Sequence, residues 1–327
     1  MMNALPDFQL LRPATAADAV RLHGLHAASR YLAGGTDLLP NLRRGLLKPA
    51  VVIDLAAIDD LREIGEIDGV LRLGAGVTLA SLAAHAAVRL RLPALAEAAL
   101  AVAGPTHRGA ATLGGNLCLD TRCSYYNQSE TWRAGNNYCM KLDGVGCRVA
   151  KKSKRCYAAF SGDVAPALIA LAAEVEILGP QGLRRQPLIE LYRDDGMAWL
   201  TLAPGELLIA VRVPLDDAWC SSYEKLRVRG AIDFPLAGIA VALRRENGLL
   251  TGLRIACTGV ASQPLALDGL DGLLGKPLDE AALAVIAEQA DLANRSMKTT
   301  LVDVLYRRGV TQVLAKRLAR RLWEAAA

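Results

Sequence analysis

Seven of the 327 residues are cysteines, and five of the seven fall between positions 118 and 156. The clustered cysteines are Cys118, Cys123, Cys139, Cys147 and Cys156, whereas Cys220 and Cys257 stand alone. Thiols stay reduced in the cytosol, so a dense cluster there indicates metal or redox chemistry rather than disulfides. The spacing contains no C-x2-C pair and therefore matches neither a zinc ribbon nor a bacterial ferredoxin. A [4Fe–4S] cluster, a tetrahedral zinc and a basic surface loop with buried structural cysteines all remain open.

Two glycine-rich turns follow apolar segments, Gly-Gly-Thr-Asp at 34–37 and Gly-Gly-Asn at 114–116. Without a Cβ atom, glycine lets backbone N–H groups approach an anion closely. Neither turn matches the dinucleotide fingerprint G-x-G-x-x-G or the P-loop, which disfavours a Rossmann fold or a nucleotide hydrolase. A diphosphate held by two separate loops remains possible.

Three segments in order carry a family resemblance: Ala-Gly-Gly-Thr-Asp-Leu-Leu-Pro at 33–40, Gly-Pro-Thr-His-Arg-Gly-Ala-Ala-Thr-Leu-Gly-Gly-Asn-Leu at 104–117, and Ser-Gly-Asp at 161–163 before an apolar helix. They resemble the FAD-binding subunits of the molybdenum hydroxylases, such as xanthine and carbon monoxide dehydrogenases, and 202–208 and 225–227 also fit. The resemblance implies an α+β fold. A two-part FAD-binding domain of the vanillyl-alcohol-oxidase/CO dehydrogenase flavoprotein type would precede a C-terminal domain of antiparallel sheet and helices.

The resemblance also implies which residues contact FAD. They are Tyr31, Leu32, Ala33, Gly34, Gly35, Thr36, Asp37, Val102, Thr112, Leu113, Gly114, Gly115, Asn116, Asp163, Leu188 and Lys225. Backbone amides and the threonine hydroxyls can donate to phosphate oxygens, and Asp163 can accept from ribose or ribityl hydroxyls. Lys225 can lie near an electron-rich flavin edge, although a solvated strand lysine is equally ordinary. No catalytic residue is expected in this chain.

Four of the five clustered cysteines lie in a segment, 119–159, that departs from the usual family pattern and resembles an inserted module. Cys118 belongs to the flavin-loop segment, so Cys123, Cys139, Cys147 and Cys156 are the expected metal ligands. Basic residues crowd them: Arg122, Arg148, Lys151, Lys152, Lys154 and Arg155. Positive charge there would offset a thiolate-rich [4Fe–4S] cluster and suit an acidic electron carrier.

An iron–sulfur insert in this scaffold resembles the FAD-binding subunits of the 4-hydroxybenzoyl-CoA reductases of anaerobic aromatic degradation. That resemblance implies a hetero-oligomer in which electrons enter from reduced ferredoxin, pass through FAD and continue to [2Fe–2S] clusters and a molybdenum cofactor in partner subunits. Reduction of 4-hydroxybenzoyl-CoA to benzoyl-CoA would occur there. One alternative is an ordinary hydroxylase flavoprotein subunit that passes electrons to NAD or a quinone, with structural zinc in the insert. Another is a non-redox interaction subunit whose flavin loops are relics.

Composition sets the remaining expectations. Apolar residues make up 52% and charged residues 22%, with a net charge of +5, which is typical of an ordered globular protein without a nucleic-acid footprint. The sequence shows neither a signal-peptide core nor an apolar run near the ~18 residues of a membrane span, so we expect a soluble, cytoplasmic protein. A change of character near Pro214 predicts two domains, 1–218 and 219–327.

Periodicity and capping residues predict the elements that position these residues. Helices are expected at 15–29, 38–44, 78–87, 93–102, 164–173, 264–274, 279–294 and from 303 to the end. Strands are expected at 31–33, 51–55, 174–178, 223–228, 236–244 and 249–258. Hairpin turns are expected at 68–69 and 247–248. Residues 110–117 are expected to form a glycine-interrupted loop.

Overall fold

The computed structural model describes residues 4–325, which form eleven α-helices and twelve β-strands. The helices are α1 (Ala16–Leu25), α2 (Leu38–Arg43), α3 (Leu79–Ala84), α4 (Ala86–Arg91), α5 (Pro93–Ala101), α6 (Pro105–Ala110), α7 (Leu113–Leu117), α8 (Glu130–Gly135), α9 (Val164–Ala170), α10 (Glu280–Ala293) and α11 (Val304–Ala325). The strands are β1 (Gln9–Leu11), β2 (Arg30–Leu32), β3 (Val51–Asp54), β4 (Ile64–Ile67), β5 (Val70–Gly74), β6 (Glu174–Gly179), β7 (Gly182–Pro187), β8 (Leu207–Pro214), β9 (Cys220–Leu226), β10 (Ala237–Glu246), β11 (Leu249–Thr258) and β12 (Leu265–Ala266).

The first sheet is a small parallel one with strand order β1-β3-β2. Helix α1 provides the crossover between β1 and β2, and it begins where the Thr15 hydroxyl accepts a hydrogen bond from the N–H of Asp18 at 3.0 Å. Ala19 and Val20 of this helix pack with Val51 and Ile53 of β3 in one buried cluster. The sheet thereby fixes the end of β2, from which the first glycine-rich turn departs.

The second sheet is antiparallel, with strand order β4-β5-β8-β6-β7. Asp68 and Gly69 join β4 to β5 with φ angles of +51° and +71°, the left-handed pair that a tight type I′ hairpin requires. The inner face of this sheet packs on α3, α5 and α9 in the largest core cluster of the described chain. The sheet brings two distant parts of the chain together, since β4 and β5 precede the cysteine-rich segment and β6 to β8 follow it.

The third sheet, in the order β12-β11-β10-β9, is antiparallel and buried on both faces at β10. Along this strand Ile239, Val241 and Leu243 face α10 and α11, while Ala240 and Ala242 face the core of the preceding half. Side chains alternate across a strand, so large residues fill one interface and small ones permit close approach at the other. This packing joins the C-terminal sheet and helices to the first half.

The α+β architecture expected from the sequence is confirmed, as are most elements, with two corrections. The prediction of a loop at 110–117 is wrong, because α6 ends at Ala110 and α7 spans Leu113–Leu117 with Thr112 as its N-terminal cap. The helix at 264–274 is also wrong, because Leu265 pairs with Cys257 in β12 and only a short 3-10 turn follows. Several elements are shorter than expected; the 78–87 helix divides at His85 into α3 and α4.

Residues 119–159 contain little regular structure apart from the single turn of helix in α8. Their two ends are held together, because Arg122 and Ala159 form an antiparallel bridge with both N–H···O distances at 2.7 Å. The N–H of Ser124 also donates to the carbonyl of Thr299, which ties the segment to the connection between α10 and α11. The segment is thus a loop-rich module closed at its base, consistent with an insertion. None of the helices within 4–325 is both long and apolar enough to cross a bilayer.

Candidate cofactor sites

The turn at 33–37 leaves β2 and packs directly on the end of α6. A Cβ atom on Gly34 would lie 1.8 Å from the carbonyl oxygen of Ala110, and Gly35 has φ +71°, so both positions require glycine. Within residues 4–325, the N–H groups of Gly34, Gly35 and Thr36 donate to no protein acceptor. Three neighbouring donors of this kind form a concavity suited to an anion such as a diphosphate.

The second glycine-rich segment has a different role from the first. Here the N–H groups are already engaged: Leu113 donates to Val77, Gly114 to Ala75 at 2.8 Å, and Gly115 to the Thr112 hydroxyl at 3.1 Å. A Cβ on Gly114 would lie 2.8 Å from the Cβ of Ala75, so the glycine allows α7 to sit against the strand region. Of the groups predicted to donate to phosphate from 112–116, the N–H and the hydroxyl proton of Thr112 donate to no protein acceptor among the described residues and remain free for a ligand.

Asn116 connects this segment to the Ser-Gly-Asp motif. Its side-chain oxygen accepts from the N–H of Val164 at 3.2 Å, which satisfies one of the unpaired donors at the start of α9. A Cβ on Gly162 would lie 2.7 Å from the carbonyl oxygen of Asn116. The 104–117 segment therefore contacts both of the other segments that carry the family resemblance, through Ala110 and through Asn116.

A buried ion pair and a tyrosine hydroxyl lie at the start of α9. Asp163 accepts from the Tyr223 hydroxyl at 2.7 Å and from the Lys225 ammonium at 3.0 Å, and the Asp163 and Lys225 side chains are 5% and 3% exposed. Lys225 also donates to the carbonyl of Ala101 at 3.0 Å. Burial raises the pKa of Asp163, and the adjacent lysine opposes that change. The pair is a fixed, nearly dry set of polar groups and not the solvated strand lysine considered above.

Three other residues expected to contact FAD, Tyr31, Val102 and Leu188, differ in their contacts and in how deeply they are buried. Tyr31 in β2 donates to the carbonyl of Gly205 at 3.2 Å and stacks near His23, with ring centroids 5.1 Å apart. Val102 lies in the turn after α5, next to the carbonyl that receives Lys225. Leu188 is fully buried and its N–H donates to Ala173, so its backbone donor is already engaged.

Asp37 links the first glycine-rich turn to the cysteine-rich segment. One carboxylate oxygen accepts from the N–H of Asp120 at 2.9 Å, and the other pairs with the guanidinium of Arg122. Arg122 also donates to the side chain of Asn41 at 3.1 Å and lies over the ring of Phe234. Arg122, expected beside the cysteines, is therefore directed toward the flavin-loop side of the segment.

The four cysteines expected to be metal ligands come together. Cys123, Cys139, Cys147 and Cys156 are 5–8% exposed and line one cavity, although up to 33 positions separate them in sequence. All seven cysteines of the chain are free thiols, and Cys118 lies outside this cavity, against the main core. Within the described residues, no three His, Cys, Asp or Glu side chains are arranged to hold a single metal ion.

The surroundings of the cavity fit sulfur ligands. The N–H of Ala158 points at the sulfur of Cys156 at 3.4 Å, and hydrogen bonds of this type are characteristic of cluster-ligating thiolates. Burial raises the pKa of Cys156 to about 12, so the thiol is protonated at neutral pH and releases its proton when a metal binds. The loop after Cys139 turns sharply, since a Cβ on Gly144 would lie 2.6 Å from the Cys139 nitrogen.

The cation at the cavity that the sequence analysis missed is Lys141. It lines the cavity with a side chain only 5% exposed, whereas Lys151, Lys152 and Lys154 lie in solvent at the outer end of the segment. Arg148 lines the cavity and donates to the carbonyl of Tyr138 at 2.8 Å. Arg155 and Arg295 both pair with Asp194, at 2.6 and 2.9 Å. The position of Lys141, two residues after Cys139, was the available signal.

Comparison with known proteins supports FAD binding by this chain and does not address the cysteine cavity. Residues 6–216 match the family described as "FAD binding domain in molybdopterin dehydrogenase", and residues 221–322 match "CO dehydrogenase flavoprotein C-terminal domain". The chain is 32% identical to the aldehyde oxidoreductase FAD-binding subunit PaoB of Escherichia coli K12, over 96% of this chain and 98% of that one. It is 28% identical to the carbon monoxide dehydrogenase medium chain of Hydrogenophaga pseudoflava, over 97% and 98%. A solved structure of the carbon monoxide dehydrogenase from that organism superposes with a TM-score of 0.81 at 27% identity, covering 99% of this chain and all of the matched chain.

Proposed function

The chain belongs to the family of FAD-binding electron-transfer subunits of the molybdenum hydroxylases, and on that premise we propose that it also carries a [4Fe–4S] cluster on Cys123, Cys139, Cys147 and Cys156. The observation that carries this proposal is the convergence of these four thiols on one buried cavity. When bound, FAD supplies transfer of electrons singly or in pairs and the cluster supplies transfer of single electrons.

The proposed FAD site uses the sixteen residues expected from the sequence, with roles divided by geometry. The free N–H groups of the 33–37 turn would bind the diphosphate, together with the hydroxyl of Thr112. The Asp163–Lys225 pair would present a fixed carboxylate and ammonium to hydroxyl groups and to the flavin ring. We propose that residues 1–218 form the FAD-binding domain with the insert at 119–159, and that 219–327 form the second domain.

The cluster is favoured over structural zinc by its surroundings. Four thiols line one buried cavity, which supplies the sulfur ligands that a [4Fe–4S] cluster requires. In addition, Lys141 and the N–H of Ala158 place positive charge and a hydrogen-bond donor where they compensate an anionic cluster.

We propose partners from the same family. The chain would assemble with a molybdenum-cofactor subunit and a [2Fe–2S] subunit, and substrate would react on the former. The sequence resemblance favours reduction of 4-hydroxybenzoyl-CoA with electrons from ferredoxin. A second candidate, oxidation of an aldehyde with electrons passing outward through this chain, is favoured by the 32% identity to the aldehyde oxidoreductase subunit along almost the full length of both proteins.

The decisive experiment measures iron, acid-labile sulfide, zinc and flavin in the complex purified without oxygen. We expect about four irons, four sulfides and one FAD per chain from the cluster stoichiometry. Cys139→Ser and Cys156→Ser should lose iron and keep flavin. Cys220→Ser, in β9 and outside the cavity, is the matched control and should keep both. One zinc without sulfide would overturn the cluster and leave the ordinary flavoprotein alternative.

The substrate candidates are separated on the same complex. Reduced ferredoxin with 4-hydroxybenzoyl-CoA is compared with a set of aromatic and aliphatic aldehydes in the presence of an electron acceptor. Formation of benzoyl-CoA supports the reductive role, and acceptor reduction by aldehydes supports the oxidative one. Colourless protein without flavin would contradict both and favour the interaction subunit.

A further inference from the structure

Lys141 has the most constrained environment of the charged groups that line the cysteine cavity. Its side chain is 5% exposed, and its ammonium group contacts Asp120 at 2.6 Å, the carbonyl of Thr121 at 3.1 Å and the Thr121 hydroxyl. Three acceptors match the three protons of an ammonium group, so its hydrogen-bonding capacity is filled. The charge is therefore fixed in position.

Aromatic rings further confine this charge. The nitrogen of Lys141 lies 4.4 Å from the ring centroid of Tyr126 and 5.0 Å from that of Trp199. Tyr126 itself belongs to the apolar cluster that includes Cys123, Cys139 and Cys156. In such surroundings charge is poorly screened by solvent, and its influence on a neighbouring group is larger than at a surface.

The partner of Lys141 connects the cavity to the flavin turn. Asp120 accepts from Lys141 through its side chain and donates through its N–H to the carboxylate of Asp37 at 2.9 Å. Asp37 directly follows the free N–H groups of Gly34, Gly35 and Thr36. A continuous path of one ion pair and one hydrogen bond therefore joins the wall of the cysteine cavity to the turn proposed to bind FAD.

We infer that the Lys141–Asp120 pair sets the redox balance between the two cofactor sites, with Lys141 favouring the reduced state of the cysteine-bound cluster. This inference rests on the proposed function. Reduction adds one negative charge to the cluster, so a fixed cation at the cavity wall stabilises the reduced form more than the oxidised form. Asp120 pairs with the ammonium but is not among the residues that line the cavity, and its negative charge partly cancels that effect.

Lys141 is a positioning residue that tunes the cluster in this scheme. Removing the cation and removing the anion should shift the cluster potential in opposite directions, which distinguishes tuning from a merely structural role. Lys141→Met removes the cation with little change in side-chain length. Asp120→Asn removes the opposing anion and keeps the backbone N–H that binds Asp37. The two variants should shift the cluster potential in opposite directions, which a loss of packing would not produce.

The test is a redox titration of the purified complex with dithionite as reductant, followed by the electron paramagnetic resonance of the reduced cluster. Lys141→Met should lower the ratio of reduced to oxidised cluster at a fixed potential about tenfold, equal to a shift of 59 mV for a one-electron couple. Asp120→Asn should raise it, and the double variant should lie between them. Lys141→Arg should resemble wild type, and the exposed Lys151→Met is the control.

The outcomes separate the two proposals. If wild-type protein contains no iron and sulfide, the proposed function fails and this inference fails with it. If the cluster is present but Lys141→Met and Asp120→Asn leave the potential unchanged, or shift it in the same direction, only the inference is overturned. If Lys141→Met does not accumulate as folded protein, the direction of the Asp120→Asn shift and the wild-type potential of Lys141→Arg decide it.

Discussion

Replacing Gly34 by alanine tests the diphosphate site most directly. The new Cβ would lie 1.8 Å from the Ala110 oxygen, and real contacts of this kind are not shorter than 3.0 Å. Both atoms are anchored by backbone, so the turn must move away from α6 by about 1.2 Å. A shift of this size breaks hydrogen bonds from the turn to a phosphate. If two are lost at about 1.5 kcal/mol each, FAD binding weakens by about 3 kcal/mol, roughly a hundredfold.

Flavin content per chain and FAD titration of the deflavinated complex measure this effect. Gly109→Ala is the matched control, because Gly109 lies in α6 with open space around its Cβ position and should keep full flavin. Iron content reports whether Gly34→Ala remains folded around the cysteine cavity. Stoichiometric flavin bound to Gly34→Ala with wild-type affinity would refute the assignment of this turn to the diphosphate.

Three further predictions concern stability. Asp163→Asn leaves the Lys225 ammonium buried without its carboxylate, so it should destabilise the fold by about 3–5 kcal/mol in thermal unfolding and weaken FAD binding. An unchanged melting temperature would contradict the buried pair. Thr15→Ala removes the cap of α1 and should cost about 1 kcal/mol in urea unfolding with flavin content unchanged, whereas a loss of flavin would contradict a purely local role. Burial acts to raise the pKa of Asp194, but the two arginines beside it outweigh burial and lower that pKa. The stabilisation that the Asp194 carboxylate provides is therefore full above the unfolded pKa of about 3.9 and is lost as pH falls through the lower folded pKa. The difference in free energy of unfolding between wild type and Asp194→Asn should narrow below pH 4. A difference that stays constant there would refute the pairing.

The parts of the fold that could be predicted from the sequence are those fixed by local chemistry. Asp68-Gly69 and Asn247-Gly248 form hairpin turns in the structure because both pairs adopt the positive φ angles that such turns need. The two errors arise where a contact with a distant part of the chain decides the conformation. Leu265 is drawn into a strand by Cys257, and Gly114 is accepted in a helix because α7 packs against Ala75.

The same distinction applies to the two sites. The family resemblance assigned Cys118 to the flavin-loop segment and left four cysteines as predicted ligands, and the structure places all four on one cavity. The clustering of basic residues in the sequence was a poor guide to which ammonium group lies at the cysteine cavity, because Lys151 and Lys152 are solvated while Lys141 is buried there. The path through Asp120 and Asp37 depends on two segments more than 80 positions apart, so no local pattern could reveal it.

The bridge between Arg122 and Ala159 has a consequence for how this protein could have arisen. A segment whose ends are pinned side by side can be added to a loop without displacing the elements on either side of it, and such positions are where proteins tolerate whole inserted domains. The cysteine module therefore has the topology of a graft. Such an addition would leave the turn at 33–37 in place, with Asp37 at the junction bound to Asp120 and Arg122 of the inserted segment.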